Sequence, residues 1–76
     1  PKPDRRAYGA VTQRLGVAPD RCTFVDDTWR NLVAARDVGM RTVWLTGERR
    51  ADPDVHHVIA ELHELEALLA ALASGG

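Results

Sequence analysis

The chain has 76 residues, 45% of them hydrophobic and 28% charged, the make-up of at most one small globular domain. Ten basic against eleven acidic side chains leave a net charge of −1 and a pI near 6.3, which removes the electrostatic reason to expect a nucleic acid or an anionic membrane as partner. No apolar run approaches the roughly 20 residues that span a bilayer, and the single cysteine, Cys22, excludes an internal disulfide and fits a reducing, cytoplasmic setting.

In chain order, Asp4 is placed to cap a first helix in which Ala7, Tyr8, Val11 and Leu15 recur on one face and Gly16 marks the end. Val17-Ala18-Pro19-Asp20 reads as a turn. Cys22-Thr23-Phe24-Val25 is a short β-prone run that stops at Asp26-Asp27. Thr28 has the chemistry of an N-cap for a second helix, with Leu32, Ala35 and Val38 on its apolar side and Gly39 closing it. Thr42-Val43-Trp44-Leu45 is a second β-prone run, followed by a charged loop from Glu48 to Asp54 that includes Pro53. Val55 to Ile59 suggests a third, weaker strand. From Glu61 onward Leu62, Leu65, Leu68, Leu69 and Leu72 step by three and four, which predicts an amphipathic helix, and 74–76 reads as a frayed tail.

Strands alternating with helices predict an α/β fold with a parallel sheet. Here the sheet would have two to three strands with three helices, fewer strands than such sheets usually hold. The sequence opens at Pro1 and its only methionine is Met40. The expectation is therefore a single partial domain over 1–76, part of a longer protein.

The adjacent carboxylates of Asp26 and Asp27 follow an apolar strand, at the carboxyl end where open α/β sheets bind ligands. Successive strand residues point to opposite faces, so the pair can converge on one ion only if Asp27 already lies in the turn. Magnesium suits one or two carboxylates completed by waters and a substrate phosphate. The bland alternative is that one aspartate helps cap the next helix while the other is solvated. Lys2, the sole lysine, reads by itself as a solvated surface group; its interest is the run Lys2-Pro3-Asp4.

Taken together, Lys2-Pro3-Asp4, Leu15-Gly16-Val17-Ala18-Pro19, Phe24-Val25-Asp26-Asp27, Asn31, Ala34-Ala35 and Gly39-Met40-Arg41-Thr42-Val43 resemble the C-terminal part of a haloacid dehalogenase (HAD)-superfamily hydrolase. The resemblance implies a Rossmann-like core and phosphoryl transfer through an aspartyl-phosphate in the intact protein, on a small phosphate monoester. It implies that Asp26 and Asp27 hold Mg2+, that Lys2 is catalytic by neutralising charge on the nucleophile and phosphoryl group, and that Asn31 supports the acidic loop. Arg5 stands where the family commonly has a second proline.

The family's nucleophile motif, Asp-x-Asp after an apolar strand, is expected ahead of the lysine, where this sequence has only Pro1. Asp52-Pro53-Asp54 follows the charged run Glu48-Arg49-Arg50 and reads as a loop; Thr46-Gly47 reads as a strand exit. The 76-residue chain is thus expected to contain no nucleophile and to be inactive alone. His56, His57 and His63 lack the partners of a zinc pattern and suggest surface or packing roles. Trp29 and Trp44 suggest core or interface, and Arg49-Arg50 a solvated pair. Two alternatives stay open: a non-catalytic binding or assembly module that self-associates through an open sheet edge, and a receiver domain, whose lysine should come late in the chain, where none follows Lys2.

Overall fold

A computed structural model describes residues 4–75; Lys2, the predicted phosphate-side cation, lies outside the described residues. The elements are α1 (Arg5–Leu15), a 3-10 turn (Pro19–Arg21), β1 (Thr23–Asp26), α2 (Trp29–Asp37), β2 (Arg41–Leu45), β3 (His57–Ile59) and α3 (Glu64–Ser74). The three strands form one sheet in the order β1-β2-β3, with both pairings parallel. The α/β class, the helix count and the third strand expected from the sequence are all present. Ser74 closes α3 with its hydroxyl on the Ala70 carbonyl.

β2 lies in the middle, and its sequence shows why. Thr42 and Val43 point to opposite faces and both are 0% exposed, so this strand is covered above and below. Leu32 and Ala35 of α2, equally buried, pack with Met40, Val55 and Ile59 into the rest of the core. Burying a side chain such as Leu32 or Val43 is worth roughly 1.5–3 kcal/mol each. α2 reverses into β2 at Gly39, whose φ of 99° lets the amides of Gly39 and Met40 reach the Arg36 and Ala35 carbonyls.

Two helical expectations need correction. The face predicted for α1 was Ala7, Tyr8, Val11 and Leu15, yet Val11 and Leu15 are 52% and 64% exposed while Thr12 is buried. The edge-to-face contact of Tyr8 with Phe24, 5.1 Å between centroids, sets the helix rotation and turns the Tyr8–Thr12 row inward. Thr12 tolerates burial because its hydroxyl donates to the Gly9 carbonyl at 3.0 Å. The last helix starts at Glu64 rather than Glu61. Glu64 Oε2 accepts the amides of Ala60 and Glu61 at 2.7 and 2.8 Å, and Oε1 accepts Arg49 at 2.6 Å, so the preceding residues are held as a turn. These bonds, the Glu61 amide foremost and then Arg49, hold the Glu64 carboxyl below its ordinary range. No residue of α3 is buried; its leucines are half-buried at best.

The link from β2 to β3, residues 46–56, contains no helix, although parallel strands are usually joined through one. It must return from the carboxyl end of β2 to the amino end of β3, and side chains fasten it on the way. Trp29 Nε1 donates to Asp52 Oδ1 at 3.2 Å and Arg36 donates to the Pro53 carbonyl at 2.6 Å. Val55 then enters the core, and His56 completes the ladder that β3 has not yet begun. Its Nδ1 accepts the Thr42 amide at 3.0 Å, while its own amide donates to the Thr42 hydroxyl at 3.1 Å. The adjacent His57 is the first residue of β3, so the histidines serve packing and pairing.

The amide of Thr42 can donate only to an unprotonated Nδ1, so the fold selects neutral His56. Desolvation, and then the charges of Arg36, His57 and Arg41, hold its pKa below the usual 6.5. As pH falls below about 6.5 the unfolded chain takes up this proton before the folded one, so stability is lost in that window until the folded-state value is passed. Thermal melts between pH 7.5 and 5 are expected to show this loss, and His56→Ala is expected to melt lower at pH 7.5 with a flatter slope across the window. An unchanged slope would remove His56 as its source.

Candidate functional site

β1 delivers Asp26 as its last residue, and Asp27 lies in the bend that follows. Asp27 is thus out of the strand, a position that convergence of two neighbouring aspartates on one ion requires. Both sit at the carboxyl edge of the parallel sheet, beside the amino terminus of α2. Asp26 is half-buried and Asp27 exposed.

One oxygen of each carboxylate is committed to the chain. Asp26 Oδ2 accepts the Thr28 amide and Asn31 Nδ2, both at 3.0 Å. Asp27 Oδ1 accepts the Thr28 hydroxyl at 3.2 Å. Among the described residues, Asp26 Oδ1 and Asp27 Oδ2 accept no protein hydrogen bond. Thr28 does occupy the N-cap position of α2, but its hydroxyl does not cap the helix; it turns back to Asp27. The hydroxyl donates to the neighbouring Asp27 carboxylate and accepts no amide of α2. Asn31, the residue expected to support the acidic loop, lies in the first turn of α2 and donates to Asp26.

Two further residues border the turn. Tyr8 packs on Phe24 from α1, and desolvation, then the negative charge of Asp26, raise its phenol pKa above the usual 10. Trp44, the register partner of Asp26 on β2, donates its indole N–H to the Asp27 carbonyl at 3.2 Å. The Arg50 guanidinium stacks on the Trp44 ring at 5.2 Å from its centroid. Sequence reasoning placed Trp44 in the core or an interface and missed this bond. Aligning Phe24-Val25-Asp26 with Thr42-Val43-Trp44 as parallel neighbours is the signal that finds it.

The donor set suits magnesium. Two carboxylates with one uncommitted oxygen each can take a hard cation that keeps several waters, and they do not form a closed protein cage. Among the described residues no group of three or more His, Cys, Asp or Glu side chains gathers. The histidines contribute nothing here: His56 is engaged with Thr42, and His63 lies 3.2 Å from Glu61.

Comparison with known proteins gives a consistent picture. The HAD-hydrolase-like family model matches residues 1–71. A phosphatase of Mycobacterium tuberculosis is 37% identical over 68 residues, covering 90% of this chain and 30% of that protein. An enolase-phosphatase E1 of Marinobacter nauticus is 33% identical, again over 90% of this chain and 30% of the relative. Among solved structures, a dehalogenase superposes with a TM-score of 0.80 at 32% identity, over 92% of this chain and 33% of that one. A haloacid dehalogenase-like protein of unknown function from Agrobacterium tumefaciens gives 0.77 at 29% identity, over 96% and 37%. The chain thus spans about a third of the length of the proteins it matches.

The Asn31–Asp26 bond sets a measurable requirement. Asn31→Ala leaves Asp26 Oδ2 with one donor and is expected to cost roughly 1–2 kcal/mol in urea denaturation. Asn31→Asp, which places a second negative charge there, is expected to cost more. Equal stability of all three proteins would show that the bond carries no weight.

Proposed function

Because this chain belongs to the HAD-hydrolase-like family, we propose that it supplies the metal-holding acidic turn of a magnesium-dependent phosphatase acting on a small phosphate monoester. The observation that carries this reading is the division of labour at Asp26: Oδ2 locked by Thr28 and Asn31, Oδ1 left for a ligand. The phosphatase names of two relatives support the reaction class.

In this reading Asp26 and Asp27 hold the magnesium ion. The bound ion would supply positive charge to the phosphoryl oxygens of the substrate. Thr28 and Asn31 orient Asp26, and the exposed Asp27 completes the pair from the bend. Lys2, outside the described residues, adds an ammonium group against the phosphoryl charge. Such chemistry is mostly positioning and charge stabilisation, which fixed carboxylates and a cation provide. The nucleophilic aspartate belongs to the intact protein in this proposal, and a cytoplasmic setting rests on the free thiol of Cys22. No helix among the described residues is long and apolar enough to cross a membrane.

Titration of the chain with magnesium chloride, followed by amide NMR, is expected to move the resonances of residues 25–31 most, and Asp26→Asn to abolish the response. Shifts centred on His56 and His57 would put the ion elsewhere. With magnesium and a generic phosphate monoester the 76-residue chain is expected to show no turnover if, as proposed, the nucleophilic aspartate is supplied by the intact protein. Turnover that vanishes in Asp26→Asn would contradict this.

A second reading, assembly through a sheet edge, is favoured by one observation: among the described residues β1 pairs only with β2. An open apolar edge invites strand addition from a second copy. Sedimentation over a dilution series is expected to show reversible association. A monomer at every concentration would exclude it.

A further inference from the structure

The acidic turn is held through a single peptide plane. The unit joining Asp27 to Thr28 carries one carbonyl and one N–H on opposite sides of a rigid plane. Its carbonyl accepts the Trp44 indole N–H at 3.2 Å, and its N–H donates to Asp26 Oδ2 at 3.0 Å. Turning the plane to satisfy one bond therefore aims the other. We propose that Trp44 is a positioning residue for Asp26: the indole sets the peptide plane, and the plane decides which carboxylate oxygen is committed and which stays open for the cation.

Three features make this more than a packing contact. Trp44 is the register partner of Asp26, so the sheet itself brings the indole to the turn rather than a mobile loop. Arg50 lies over the same ring, 5.2 Å from its centroid, a contact the indole keeps without giving up its N–H. Asn31 Nδ2 donates to the same Oδ2, so two independent donors converge on one oxygen and leave Oδ1 without a protein partner among the described residues. Bonds in series across an amide also polarise one another, which strengthens the Thr28 donor when the Asp27 carbonyl is engaged. A carboxylate oriented beforehand loses less freedom on binding, and that difference appears as affinity.

The proposal rests on the reading of Asp26 and Asp27 as the magnesium-holding pair, and the test separates the two. The probe is magnesium chloride alone, titrated into the 76-residue chain with amide and indole NMR as readout. In the native chain the Thr28 amide and the Trp44 indole proton are expected to shift along one isotherm, while the Trp29 indole, bonded to Asp52, stays still. Trp44→Phe keeps an aromatic ring for Arg50 and removes the N–H together with part of the indole; its magnesium dissociation constant is expected to rise roughly three- to ten-fold, the scale of one lost hydrogen bond. Trp29→Phe makes the same chemical deletion at an indole bonded to Asp52 rather than to the turn, and is expected to bind as the native chain does.

Native affinity in Trp44→Phe overturns the proposal and leaves the acidic pair standing. Equal weakening in Trp29→Phe also overturns it, because general loosening then accounts for the loss. Absence of any saturable shift at residues 25–31 of the native chain overturns the acidic-pair reading and this one with it. Should Trp44→Phe fail to fold, the native titration decides: a Thr28 amide that shifts without the Trp44 indole refutes the relay.

Discussion

The parallel pairing of β2 with both neighbours is the constraint on which the rest depends. A strand with two consecutive fully buried residues, Thr42 and Val43, must be covered on both faces and paired on both edges. Thr42 is the awkward member, since a buried hydroxyl and amide need partners. His56 provides them, and so the third strand can start one residue later without leaving an orphaned group. The same pairing fixes Trp44 beside Asp26 and thereby joins sheet construction to the acidic turn.

Around that turn the chain spends its polar groups asymmetrically. Thr28 and Asn31 hold one oxygen of Asp26, and Trp44 holds the peptide beyond it. The turn is therefore built from three elements, β1, α2 and β2, none of which supplies more than a part. Tyr8 on α1 packs edge-to-face on Phe24 of the same strand that ends in Asp26. This organisation accounts for a family likeness carried by short dispersed runs rather than one long motif: each run places one piece.

Much of this was legible in the sequence, and the failures have a common cause. β1, β2 and the α2 core were readable because local pattern and burial agree there; Leu32, Ala35 and Val43 are apolar and fully buried. Asn31 entered only through the family resemblance, and no local pattern pointed to its bond with Asp26. α1 was rotated relative to expectation because a long-range contact, Tyr8 on Phe24, outranks the difference between valine and threonine. The start of α3 moved because one carboxylate, Glu64, folds back on the amides before it. Trp44 was missed because its partner is set by strand register, which no local pattern encodes.

The helix-free connection between β2 and β3 has an evolutionary corollary. Its ends are pinned by sheet pairing, and between them it holds on through a few polar bonds to Trp29, Arg36 and Glu64. Only Val55 of this stretch is buried in the core. Lengthening such a segment costs only about 0.6 kcal/mol per doubling in closure entropy. The rim that carries Arg50 can therefore acquire new length and composition while the sheet and Asp26 keep their places, so this is where descendants of one scaffold can diverge at least expense to folding.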